Sequence, residues 1–227
     1  MDIYNIAYII SNRGAALFQN YLILEKLKDL CSNKLVFFTE ECEGEKLWGD
    51  QTLDKITITK NWKKEREEIC DYINDVCTDR KIDLIILSSG KLLCGKLLDN
   101  FKYKILNTHP ALLPSFKGYN VQSKSWKFNF RFMGITTHFI DAEVDEGNLL
   151  CQGCMPFNYD KTYEENLEEW FKLWKIVQMN TIYLIITNKL TIVENNATFS
   201  DVVFNTSIVT PKSNSIFMSN YISNLIN

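Results

Sequence analysis

Asn107, His109 and Asp145 are the residues of this chain whose types and spacing could do chemistry together. The first two sit in ILNTHPALLPSFKG, residues 105 to 118, and the chain has only two histidines in 227 residues. An amide supplies a fixed hydrogen-bond donor, an imidazole a tunable acid or base, and a carboxylate a charge partner. Pro110 and Pro114 fix φ at two points and stiffen the chain after His109. Asp145 lies beyond a further strand, in the turn DAEVDEG. It reaches His109 only if the fold returns the chain to the same edge. Each residue also has a plainer reading. Asn before a turn serves as an Asx-turn residue, Asp in Asp-Glu-Gly as a turn former, and His beside Pro as a packed or exposed loop residue. Spacing alone does not choose between the two.

The elements that must position these residues follow from apolar patterning. Ile3 to Ile10 is a nearly continuous apolar run of the kind buried on both faces of a sheet. The turn Ser11-Asn12-Arg13-Gly14 follows, then a helix with Leu17, Tyr21, Leu24 and Leu27 at helical spacing. Lys34 to Phe38 reads as a second strand and residues 63 to 80 as a helix with Ile69, Ile73 and Val76 on one face. Asp83 to Leu87 and Tyr103 to Leu106 read as buried strands. Met133 to Ile140 and Asn148 to Met155 read as two more strands, and Tyr163 to Ile186 as a long helix. Alternating strands and helices predict an α/β fold, a Rossmann-like, mostly parallel twisted sheet flanked by helices. Residues 1–190 are expected to form the catalytic domain. Residues 191–227 are expected to form a small, β-rich C-terminal extension of hairpin or irregular chain. Ligands of such sheets gather at the carboxyl ends of the strands, and Asn107 and His109 are expected just past the end of the fourth.

Composition sets limits. Hydrophobic residues make up 46% and charged residues 23%, with a net charge of −3, so no basic field recruits nucleic acid. No apolar run approaches the roughly 20 residues that span a bilayer. The opening residues lack a basic segment followed by a long apolar one, so no export signal is expected. Seven scattered cysteines suit a reducing cytoplasm. Cys151-Gln152-Gly153-Cys154 is a CxxC without a second pair and reads as strand rather than as a zinc or redox site. His138 reads as a packed strand histidine.

The stretch Asn107-x-His109-Pro110-x-Leu112-Leu113-Pro114-Ser115-Phe116-Lys117-Gly118 resembles the signature of the tetrahydrofolate-dependent formyltransferases. Gly134-x-Thr136-x-His138-Phe139-x5-Asp145-x-Gly147-x3-Cys151-Gln152 resembles that family's second block. The likeness is strongest to its glycinamide ribonucleotide branch and runs from Met1 to about Phe204. It implies transfer of a formyl group from N10-formyltetrahydrofolate, as co-substrate, to a small-molecule primary amine, with no metal. By position, Asn107, His109 and Asp145 match the family's catalytic residues. Asn107 and His109 would donate hydrogen bonds to the oxygen that gains charge during attack, and Asp145 would pair with the imidazole and help move a proton. The folate pocket would be built from backbone of Gly90, Lys91, Leu92, Leu93 and Cys94 and of Asp141, Ala142, Glu143, Val144 and Asp145. Leu92 and Leu93 are equally readable as core residues.

The resemblance frays on the acceptor side. The glycinamide ribonucleotide enzymes carry a Gly-rich turn after the first strand that cradles phosphate at a helix N-terminus. Here that turn is Ser11-Asn12-Arg13-Gly14, with one glycine, and Arg13 is the candidate to fork a phosphate instead. The family's late-helix Glu-His pair falls near Lys175-Ile176. These departures favour a nucleotide-linked amino sugar as the amine. Glycinamide ribonucleotide of purine biosynthesis is the alternative acceptor, and a non-enzymatic folate-binding module the alternative role. Trp126 and Tyr119 are candidates to stack on a base or sugar. A tRNA acceptor is not expected without a basic surface, nor a water-accepting deformylase without an N-terminal regulatory domain. The expected protein is cytoplasmic, off the membrane, and a monomer or homodimer.

Overall fold

The structure, a computed structural model, describes residues 3–11, 14–39, 43–49, 51–118, 121–142, 145–204 and 209–226. The chain divides into two compact units, one of residues 1–107 with 139–144, the other of residues 108–138 with 145–227.

The first unit is a parallel α/β layer. Its elements are β1 (Tyr4–Ile10), α1 (Ala15–Leu24), β2 (Cys31–Phe38), α2 (Glu43–Trp48), β3 (Asp54–Thr57), α3 (Arg66–Asp79), β4 (Leu84–Ser88), α4 (Lys96–Asn100) and the start of β5 (Ile105–His109). The strands lie in the order β5-β4-β1-β2-β3, and every pair is parallel. Ile6 to Ile10 are fully buried, as a run covered on both faces must be. Helix α3 buries Ile69, Cys70, Ile73 and Cys77 against Ile85, Leu87 and Ile105 of the sheet, while Val76 is only half-buried. Strand order reverses between β1 and β4, the switch point where such sheets bind ligands. There the Ser11 N–H donates to the Ser88 carbonyl at 3.1 Å and the Gly90 N–H to Ser11 Oγ at 3.3 Å.

The second unit holds the end of β5, α5 (Val121–Lys127), β6 (Phe132–Phe139), β7 (Leu149–Pro156), α6 (Tyr163–Ile186), β8 (Leu190–Val193), β9 (Asn196–Phe199), β10 (Val202–Val203), β11 (Val209–Thr210), β12 (Lys212–Ser213) and α7 (Ile216–Ile226). Strands β6 and β7 form an antiparallel pair with β11 on the far side of β7. Helix α6 lays a polar face on this layer. Thr181 bonds Thr137 at 2.7 Å, and Asn180 donates to the Pro211 carbonyl at 2.9 Å and accepts from the Ser213 N–H at 2.9 Å. Among the described residues no helix is long and apolar enough to cross a membrane.

The α/β class and the span of α6 match the sequence reading. Three details differ. β5 extends through His109, so Asn107 and His109 lie on the strand and not past it; their side chains still alternate onto one of its faces. The short elements α2, β3, α4 and α5 have no periodic signal long enough to read. The tail forms the expected β8–β9 hairpin but ends in α7, where Met218 and Ile222 are buried one helical turn apart.

A capping box starts α6. The Thr162 backbone N–H donates to Glu165 Oε2 at 2.7 Å and the Glu165 N–H to Thr162 Oγ1 at 3.2 Å. Thr162→Ala is expected to cost about 1 kcal/mol, read from urea unfolding at neutral pH. The Thr162 backbone N–H, then its hydroxyl, hold the Glu165 carboxyl below its usual value. That contribution is full above the ordinary glutamate pKa and is lost as pH falls through the depressed one. Glu165→Gln should therefore flatten part of the acid dependence of stability.

Candidate active site

His109 ends β5 and is buried. Its Nδ1 lies 3.4 Å from Asp145 Oδ1, with the two side chains 4% and 10% exposed. The carboxylate is encircled. The Gly118 N–H donates to Asp145 Oδ2 at 2.9 Å, and Nε2 of the buried His138 stands 3.7 Å from Oδ1. Asp145 adopts φ 57°, a left-handed conformation that Asp accepts more readily than bulkier residues. The chain thus returns the acid to the imidazole, as the sequence reading required.

The strand and loop around this pair explain the rest of the two motifs. On β6, Gly134, Thr136 and His138 share one face by strand alternation. A Cβ on Gly134 would lie 2.8 Å from the Leu112 backbone nitrogen and 2.3 Å from its side chain, so only glycine lets the loop after His109 lie on the strand. Thr136 Oγ1 donates to the Ala111 carbonyl at 2.6 Å and accepts from the Leu113 N–H at 3.0 Å. Gln152 on β7 donates to the Leu113 carbonyl and to Thr136 Oγ1, both at 2.9 Å. A register shift between Thr137 and His138 passes over Leu150 of β7, so β6 keeps its alternation and His138 stays on the face of Gly134 and Thr136. Its approach to Asp145 is the site feature the sequence reading missed. The two-residue spacing of Gly134, Thr136 and His138 was the available signal.

The other candidates fall as follows. Asn107 is half-buried on β5, paired in register with Leu87. In the first unit, Leu93 belongs to the core, whereas the Leu92 side chain is 42% exposed and its carbonyl accepts from Trp62 Nε1 at 3.2 Å. Gly90, Asp141 and Ala142 are exposed, and Lys91 and Cys94 half-buried. Ser11 is buried. Gly14 has φ 55° and faces Ile10 so closely that a Cβ would meet it at 2.8 Å, so this one glycine is demanded by the backbone. Asn12, Arg13, Tyr119, Glu143 and Val144 lie outside the described residues. Lys175 is half-buried on α6, its ammonium lowered by burial and by Lys172. Trp126 does not stand free; it stacks on Tyr159 at 5.3 Å, with Arg131 over the same ring.

The CxxC lies on β7, where residues three apart face opposite sides. Cys151 is fully buried, its thiol pushed up to about 12 by burial, while Cys154 is half-exposed. Iodoacetamide at pH 8 should label Cys154 in the folded protein and reach Cys151 only after denaturation, as mass spectrometry of the digest would show. Gly134→Ala is expected to destabilise the protein by about 1–3 kcal/mol through overpacking. An unchanged urea midpoint would contradict the loop's seat on β6.

Comparison with known proteins accords with this geometry. A family described as formyl transferase matches residues 4–173. Phosphoribosylglycinamide formyltransferase of Haemophilus influenzae is 33% identical over 111 residues, 48% of this chain and 52% of that enzyme, so the chain spans about half the length of that curated relative. Among solved structures, glycinamide ribonucleotide transformylase 1 from Symbiobacterium toebii superposes with a TM-score of 0.80 at 22% identity, covering 88% of this chain and 95% of its own. A formyltetrahydrofolate deformylase from Pseudomonas syringae superposes at 0.77 with 16% identity, covering 88% and 67%. At these identities the structures speak to fold alone. The match over most of its length, with both motifs in place, shows that the chain belongs to the formyl transferase family.

Proposed function

We propose that this protein transfers a formyl group from N10-formyltetrahydrofolate to a primary amine. The observation that carries the reading is the buried His109–Asp145 pair at the end of a strand that also bears Asn107. The amine nitrogen attacks the formyl carbon, and the former carbonyl oxygen gains negative charge. The Asn107 amide and a ring N–H of protonated His109 donate to that oxygen. Asp145 accepts the proton the amine loses and passes it toward N10, directly or through water. The bond from carbon to N10 then breaks, leaving a formamide and tetrahydrofolate. No step calls for a metal.

The donor would lie along the backbone of residues 90–94 and 141–145. The exposed Leu92 side chain offers apolar surface to a pterin, while the neighbouring Leu93 anchors the segment in the core. The acceptor would meet the turn at Ser11 to Gly14.

Two amines compete as acceptor. The names of the relatives favour glycinamide ribonucleotide. The acceptor-side departures favour a nucleotide-linked amino sugar: the turn after β1 has one glycine, and the late-helix Glu-His pair of the glycinamide ribonucleotide branch falls near Lys175-Ile176. An assay of released tetrahydrofolate against both amines decides. Turnover confined to glycinamide ribonucleotide rejects the sugar, and turnover confined to an amino sugar rejects the ribonucleotide. Folate binding without turnover on any amine rejects formyl transfer to amines and leaves a binding module. His109→Ala is expected to lower kcat by about a hundredfold or more while donor affinity stays within severalfold. Wild-type rates in that variant would remove His109 from the mechanism.

A further inference from the structure

Resting on the formyl-transfer reading, we infer that Thr136 and Gln152 are positioning residues that act through the Phe116 carbonyl to fix the His109 tautomer, leaving Nδ1 as the working nitrogen. The two ring nitrogens of His109 are held differently. Nε2 lies 2.9 Å from the Phe116 carbonyl oxygen, an ordinary hydrogen-bond length. A carbonyl only accepts, so Nε2 carries the N–H. Nδ1 faces Asp145 at 3.4 Å, beyond the usual N–H···O range. That nitrogen is not locked: in the neutral ring it holds a lone pair, and the proton it carries in the charged ring lies between the carboxylate and a newly charged oxygen.

The Phe116 carbonyl needs a support of its own. Phe116 has φ 57°, a conformation a bulky residue keeps only where its surroundings impose it. Its ring rests on Phe130 at 4.5 Å. On one side of it, Thr136 and Gln152 grip the Ala111 carbonyl and both backbone groups of Leu113. On the other, Gly118 is tied to Asp145. The segment between is short, so a displaced Leu113 moves the carbonyl that sets the imidazole. Thr136 and Gln152 work on the backbone of the loop.

The chain's two histidines make the test direct. Protein labelled with 15N in the histidine rings, with His138→Asn used to assign the spectra, reports the neutral tautomer of His109 without any substrate. The expected wild-type form is protonated at Nε2. Thr136→Val, which keeps shape but loses the hydroxyl, should convert His109 to mixed tautomers. It should lower kcat by about tenfold to a hundredfold with the amine KM within about twofold of wild type. Thr136→Ser, which keeps the hydroxyl, should restore both. If Thr136→Val does not fold, Gln152→Met, at a half-buried site, should mix the tautomers in the same way. A wild-type His109 protonated at Nδ1 overturns the inference, and so does an unchanged tautomer in a folded variant. If the tautomers respond as expected but wild-type protein turns over no amine, the positioning stands and the formyl-transfer reading falls.

Discussion

A carboxylate nine-tenths removed from water needs partners on every side, and Asp145 sets the terms on which the rest of the site is built. Desolvating a charge costs several kcal/mol unless donors replace the lost water. Here the replacements are the Gly118 N–H, the His109 ring and the His138 ring. Each comes from a different stretch of chain: the loop after His109, the end of β5 and the end of β6. Burying one acid therefore ties three segments together, and the left-handed backbone of Asp145 is held by the same contacts.

This constraint accounts for motif residues that touch no reacting group. Gly134 yields the space a side chain would fill, and the loop lies against β6. Thr136 and Gln152 satisfy backbone groups of Ala111 and Leu113, so the loop's buried polar atoms are not left without partners. Thr108, on the opposite face of β5, accepts from Gln178 of α6 at 3.0 Å. The strand that presents His109 is thus fixed by hydrogen bonds as well as by apolar packing. That suits the role proposed for His109, which needs placement to within a fraction of an ångström.

The turn after β1 and the face of α6 that carries Lys175 follow another logic. Gly14 is bound by its φ and by Ile10, so its presence says nothing about phosphate. Lys175 and Lys172 place positive charge on one face of α6, and burial lowers the Lys175 ammonium.

Much of the fold was legible in the sequence because its signals are local. The apolar run of β1, the periodicity of α3 and the Thr162–Glu165 box of α6 each depend on residues within a few turns of one another. The elements that escaped notice were too short to show a period, and α7 was obscured by β-branched and Asn-rich composition. By itself the sequence determined the α/β class, the long helix α6 and the residue types that could do chemistry. Only the tertiary structure decided that Asp145 meets His109, that His138 approaches the same oxygen, and that a carbonyl seven residues along the loop orients the imidazole. Those meetings depend on the register of β6 against β7, on one shift in that register and on a loop seated over a glycine. None of these leaves a periodic mark in the chain, because each is fixed by residues that become neighbours only after folding.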